Sequence, residues 1–458
     1  MGRTVYLIGL DSVPVRILKE ISNDERFDAI RWFVRSSDLQ DLKSHILPVT
    51  ASAWLTIYTG MREGELGLYD FMKLGSNYGV ELADYNINQS RMVWESGKRC
   101  LVITPPMVTL PSENPKVDMI TGFPSRYKPN NNQVGQVMNN VGLVEEPDVE
   151  RRIDNGTITP RQAAKILANE VRKKTEFMHR MLAKKEYDFV FLCITETDRI
   201  QHFTLSRKDW KEIQTPIYEA INDIFRYLRK LSENEAIEII AVSDHGGIAT
   251  YKKFLVNEWL MREGFAVVRN GQHRSLVVPA SITNSDFARS VYAKMPEAVK
   301  GRIRKSGIAD NFNRFRPSDL DPNKTVAFSA TSTDKIIPIW FNDERFKNGR
   351  HVGNEVKKRL VRKLKRLSFV TQITDGRKYY GLTKKFVVPD LLVEVKDGYT
   401  VKPNEVGGRV IEPVNLNRGG EHTRYALIGT YPRVLKKGKK YSIKDVRGVI
   451  ETQLRTHL

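Results

Sequence analysis

Four apolar runs rich in β-branched residues punctuate the chain: TVYLIGL at 4–10, RCLVITPP at 99–106, DFVFLCITETD at 188–198 and IEIIAVSDHGG at 237–247. Their hydrophobic stretches are nearly continuous rather than alternating, the pattern of strands buried on both faces. Segments of helical period lie between them. The clearest, residues 159–185, has Thr159 placed to cap it and Pro160 suited to its first turn, with Ile166, Val171 and Met178 near one apolar stripe. A second helix is expected over 217–233, ahead of the last of these strands. Short buried strands separated by helices predict an α/β fold, with a mostly parallel central sheet and helices on both faces.

Residues 271–325 break the pattern, being basic and weakly periodic. They are expected to form an insertion or lid, with 1–270 and 326–458 as the core. Strand-like runs resume in TVAFSA and KIIPIWFN, and a basic helix, GNEVKKRLVRKLKRL, precedes the final segments.

At 458 residues and 40% hydrophobic content, the chain can bury a large core. Cys100 and Cys193, its two cysteines, both sit in apolar runs. That argues for buried reduced thiols, and against a disulfide or a cysteine-based metal site. The opening MGRTVYLIGLDSVP has too short an apolar run for a signal peptide and no small-residue cleavage site. No run approaches the ~20 apolar residues that span a bilayer. A soluble, cytoplasmic protein is expected. The 74 Lys and Arg exceed the 54 Asp and Glu by 20 charges. This excess fits a solvated basic surface and gives nucleic acid only weak support as a partner. The same field would raise encounter rates with anionic substrates.

Polar residues of metal-ligand type follow several strands. Asp11 comes just after the first, Asp198 and His202 lie four apart after the third, and Asp244 and His245 are adjacent after the fourth. His422 sits in a glycine-rich stretch, NRGGEHTRYALIG, before a further strand. Singly, an aspartate at a strand end is most often a cap or turn residue, and a buried histidine a satisfied core residue. Jointly, and at strand ends where open α/β sheets build their sites, they suggest one Asp/His cage. Three carboxylates and three imidazoles suit Zn²⁺ or a similar divalent ion such as Mn²⁺. Asp198 and His202 would share a side if a helix begins there, and Gly246 and Gly247 would permit the turn that aims Asp244 and His245 together. The segment PVTASAW supplies hydroxyls, Thr50 and Ser52, either of which could act as a nucleophile. Thr50 could equally cap a helix whose N-terminus binds phosphate.

These blocks resemble the type I phosphodiesterase/nucleotide pyrophosphatase family of the alkaline phosphatase superfamily, its archaeal or bacterial members in particular. The resemblance runs in order through GLDSVP, PVTASAWLTIYTG, LGLYDF, MITGFPSR, TETDRIQHF, VSDHGG, FLVNEWL, PDLLV and GGEHTRYALIG, and so covers most of the chain. It implies an alkaline-phosphatase-like core and hydrolysis of phosphodiester or pyrophosphate bonds in a small, nucleotide-type substrate. It further implies Thr50 as nucleophile and two divalent metals, usually zinc and sometimes manganese. Asp198, His202 and His422 match the ligands of one metal, and Asp11, Asp244, His245 and the Thr50 oxygen those of the other. Glu63 and Leu66 stand where the family has proline and histidine, and Ser12 where glycine is common. Asn77 and Asn86 are further candidates to hold phosphoryl oxygens. The sulfatase signature C/S-x-P-x-R is absent from PVTASAW, which sets that branch aside.

Overall fold

The computed structural model describes residues 3–83, 89–269, 315–331, 335–381 and 387–455. They form two compact units: Met1–Phe71, Asp84–Ala249 and Asn415–Leu458 in the first, Met72–Ala83 and Thr250–Val414 in the second.

The first unit is built on an eight-stranded sheet. Its strands lie in the order Tyr441–Ser442, Gln40–Lys43, Tyr425–Tyr431, Ile237–Val242, Thr4–Leu10, Phe189–Ile194, Cys100–Ile103 and Val117–Ile120. The last five are mutually parallel, and Tyr425–Tyr431 runs antiparallel to both its neighbours. The four expected strands are all among the parallel five. Every residue of Phe189–Ile194 and of Ile237–Val242 is buried, as continuous apolar strands require.

Helices cover both faces. Tyr6, Ile8 and Leu10 point into a core filled by helices Val15–Ser22, Asp28–Ser36, Pro160–Leu182 and Trp210–Asn234. On the other face the helix Thr50–Thr59 lays Trp54 over Gly9, where an added Cβ would come within 2.6 Å of the indole ring. The helix expected over 159–185 spans Pro160–Leu182, held at its start by a reciprocal Thr159–Gln162 capping box. The helix expected over 217–233 starts earlier, at Trp210, and runs through Pro216 to Asn234. The proline forfeits one backbone hydrogen bond, yet Ile213, Ile217, Ile221, Ile224 and Leu228 bury a continuous stripe that keeps the helix whole.

The second unit contains an antiparallel sheet ordered Ala327–Phe328, Ile336–Phe341, Leu391–Val395 and Val370–Asp375. The basic helix is present at Asn354–Lys365. Residues 271–314, most of the expected insertion, lie outside the described residues. Among the described residues, no helix is long and apolar enough to cross a membrane.

Candidate metal centre

Three neighbouring parallel strands set the site. Their register places Leu10 beside Ile194 and Gly9 beside Val242, so their carboxyl ends finish together. Asp11, Asp244 and His245 follow directly, and the helix Glu196–Thr204 presents Asp198 and His202 from one side. The start of that helix is tied down from below. Thr197 Oγ1 donates to the Asp11 carbonyl at 2.6 Å, and a fully buried Lys174–Glu196 ion pair closes at 2.8 Å. His422 arrives on the strand Gly420–Thr423, antiparallel to Gly246–Phe254 and opposite Gly247.

The glycines serve close approach rather than a turn. A Cβ on Gly246 would fall 2.0 Å from the Tyr425 carbonyl oxygen, and one on Gly420 would fall 1.9 Å from that of Gln201. The Asp244–His245 corner is held instead by serines. Ser44 Oγ donates to the Asp244 carbonyl at 2.5 Å, and Ser243 Oγ donates to that of His245.

All six residues gather into two adjoining clusters. In one, His422 Nε2 lies 3.1 Å from Asp198 Oδ1 and 3.3 Å from His202 Nε2, and His202 Nε2 lies 3.3 Å from Asp198 Oδ2. His202 Nδ1 is 3.0 Å from the Gly420 carbonyl, which only accepts, so this nitrogen carries a proton, and Nε2, once deprotonated, is the atom free to offer a lone pair to a cation. In the other, His245 Nε2 lies 3.2 Å from Asp244 Oδ2 and 3.7 Å from Asp11 Oδ1. Within each cluster the candidate donor atoms fall inside 4.8 Å of one another. The clusters touch through the His245 and His422 rings, whose centroids are 3.9 Å apart.

Thr50 stands beside the second of these clusters, its Oγ1 3.1 Å from His245 Nε2. It is the first residue of its helix, with Val49 in the capping position, so its hydroxyl is not used as a cap. Ser52 is fully buried and turns back to the Val49 carbonyl at 3.4 Å. Of the two hydroxyls, only that of Thr50 faces the cluster.

The electrostatics ask for a cation. Burial, then repulsion from Asp244 and Asp198, holds the Asp11 carboxyl well above the usual range. Burial and the Asp198 charge push Asp244 up to about 7. Asp198 goes the other way: burial opposes its ionisation, but the His202 and His422 imidazoles hold it well below the ordinary value. Asp11 Oδ1 and Asp244 Oδ2 are buried with no hydrogen-bond donor among the described residues. Two facing carboxylates with orphaned oxygens, set beside imidazole lone pairs, fit a divalent ion.

A pH dependence follows. Asp244 titrates higher in the folded chain than its ordinary 3.8, so its stabilising contribution is present below about pH 4 and is lost as pH rises through about 7. Melting of the metal-free protein is expected at lower temperature at pH 8 than at pH 5, and added zinc should raise it more at pH 8. A metal-free melting point that rises over this interval would contradict the repulsion.

Sequence reasoning passed over the Trp54 indole. Trp54 Nε1 donates to Asp11 Oδ2 at 2.9 Å, from one turn beyond Thr50. A buried indole N–H needs a partner, and that was the available signal. Trp54→Phe is expected to weaken metal affinity roughly 10- to 100-fold while the protein stays folded, checked by calorimetric zinc titration. Ser12 adopts φ 63°, the left-handed region in which glycine is at ease, and its N–H donates to Asp244 Oδ1 at 3.3 Å. Glu63 and Leu66 are both buried, and the Glu63 carboxylate lies 3.1 Å from His45 Nδ1. Asn77 Oδ1 accepts from the Gly79 N–H in the turn between strands Met72–Leu74 and Val80–Leu82, and Asn86 lies outside the described residues.

The profile of the family described as type I phosphodiesterase / nucleotide pyrophosphatase matches residues 5–409. No curated protein matches the chain. Among solved structures, the phosphonoacetate hydrolase of Sinorhizobium meliloti 1021 in complex with phosphonoformate is similar at TM-score 0.59 and 12% identity, covering 99% of this chain and 96% of that one. Murine ectonucleotide pyrophosphatase / phosphodiesterase 5, in an inactive form with AMP, is similar at TM-score 0.50 and 11% identity, covering 100% and 96%. At these identities the likeness is one of fold, and the fold is that of the alkaline phosphatase superfamily.

Proposed function

Because the chain belongs to the type I phosphodiesterase/nucleotide pyrophosphatase family, hydrolases of the alkaline phosphatase superfamily, we propose that it cleaves phosphodiester or pyrophosphate bonds in nucleotide-type substrates, with Thr50 as nucleophile. Asp198, His202 and His422 would hold one divalent ion, and Asp11, Asp244 and His245 with the Thr50 oxygen a second. Zinc suits this donor set, and manganese is the alternative. Such ions, when bound, supply Lewis acidity and offset negative charge at the reacting phosphoryl group.

The chain's own residues supply the rest. The Thr50 oxygen attacks phosphorus in line with the departing oxygen, forming a phosphothreonine, and water then displaces Thr50. Two inversions leave net retention at phosphorus. The helix Thr50–Thr59 begins at the nucleophile, and its first-turn N–H groups lack carbonyl partners within the helix, so they are available to phosphoryl oxygens. Trp54 and the Ser12 N–H orient the Asp11 and Asp244 carboxylates.

The observation that carries this reading is the 3.1 Å approach of Thr50 Oγ1 to His245 Nε2, the residue whose ring touches that of His422 in the other cluster. Assay of the zinc-loaded protein on bis(p-nitrophenyl) phosphate, p-nitrophenyl phosphate and a phosphonate monoester tests it. The diester is expected to be the preferred substrate. A preference for the monoester or the phosphonate would move the chain to another branch of the superfamily.

A further inference from the structure

We propose that the second unit carries an anion site, built from residues other than those of the metal centre, that takes a phosphate-bearing small molecule of about nucleotide size. A cleft of about 540 Å³ is lined by Lys357, Lys358 and Arg362 of the helix Asn354–Lys365, by Arg377, and by the apolar Phe341 and Leu391. That volume lies within the range usual for small-molecule pockets.

The charges in the cleft are not balanced. Two aspartates line it, and both are engaged. Asp390, 6% exposed, accepts from Arg377 Nε at 2.6 Å, from the Phe341 N–H at 2.7 Å and from Arg345. Asp375 caps the helix Gly376–Tyr380 by accepting from the Lys378 N–H at 3.0 Å. Lys358 Nζ is paired with Glu355 at 2.9 Å, whereas the other cations retain capacity. Arg377 is fixed by Asp390 and, through Nη2, by Asp343 at 2.5 Å, which leaves Nη1 without a hydrogen bond among the described residues. Arg362 is exposed and makes no ion pair among the described residues, and Lys357 Nζ rests 5.1 Å from the centroid of the Phe341 ring.

An arginine held rigid by two buried carboxylates presents its remaining donors at little entropic cost. Arg362 and Lys357 add converging charge, and Phe341 and Leu391 provide an apolar wall. A phosphate group with an apolar or aromatic appendage meets both requirements. Leu360 and Leu364 of the basic helix are buried in the unit, so the helix has no apolar face to offer a bilayer.

The inference does not rest on the proposed activity. Calorimetric titration of AMP into the zinc-loaded, full-length Thr50→Ala protein should show two binding events per chain. EDTA should remove the metal-centre event and spare the other. Arg362→Glu, in the same background, should weaken the EDTA-resistant event roughly tenfold or more. Arg377→Gln should do the same in protein shown by circular dichroism to be folded. Absence of an EDTA-resistant event, or one insensitive to both substitutions, would overturn the proposal. Binding of a 12-nucleotide DNA strand but not of AMP would also overturn it, in favour of a polymer surface.

Discussion

Replacing Thr50 by alanine is expected to lower turnover by roughly four to six orders of magnitude, with bound metal unchanged. The size follows from the proposed role: removing a covalent nucleophile would remove the reaction path rather than one of several stabilising contacts. Metal content should survive because the three protein side chains of each cluster remain, and Asp11 keeps its Trp54 hydrogen bond. Thr50→Ser, which preserves the hydroxyl on the first residue of the helix, should retain much of the activity. Elemental analysis and a diester assay on both variants check the pair. An alanine variant of near-native activity would contradict the nucleophile assignment, and Ser52, turned to the Val49 carbonyl, offers no substitute.

The second large effect is expected at Asp244, where stability and function should move in opposite directions. In the metal-free chain this carboxyl is buried, repelled by Asp198, and ionises only near pH 7. Asp244→Asn removes that ionisation while keeping an oxygen for the Ser12 N–H. At pH 8 the metal-free asparagine variant should therefore melt at a higher temperature than the native chain, because the native side chain must carry a poorly compensated charge there. Below about pH 4 the difference should vanish, since the native carboxyl is then neutral. The same change should cost roughly three orders of magnitude or more in diester hydrolysis, because a neutral amide would replace an anionic ligand of the ion proposed beside Thr50. A variant less stable than the native chain at pH 8, yet active, would contradict both halves.

Much of this site was legible in the chain because its residues follow strands. Continuous apolar runs mark strands buried on both faces, and parallel strands finish at one edge. An aspartate or histidine just beyond such a run is thereby placed near its counterparts. Asp11, Asp198, Asp244 and His245 were named as candidates in that way, and the structure gathers them. His422 was harder: it lies 220 residues from His202, with which it makes contact. Only its glycine-rich setting and the family resemblance pointed to it. What periodicity does not carry was missed. The antiparallel course of Tyr425–Tyr431 between parallel neighbours leaves no trace in the strand's own pattern. Pro216 hid the first turns of the helix Trp210–Asn234, because a proline signals a boundary unless a tertiary stripe overrides it. The glycines around the site looked like turn formers, whereas Gly246 and Gly420 are needed for backbone approach, which depends on partners distant in sequence.

Elemental analysis of the zinc-repleted and exhaustively dialysed protein probes the proposed paired-cation centre most directly. Two ions per chain are expected, one in the cluster of Asp198, His202 and His422 and one in that of Asp11, Asp244 and His245. A chain that retains no metal after repletion, or whose metal is undiminished when Asp198 and Asp244 are both replaced by alanine, would contradict it.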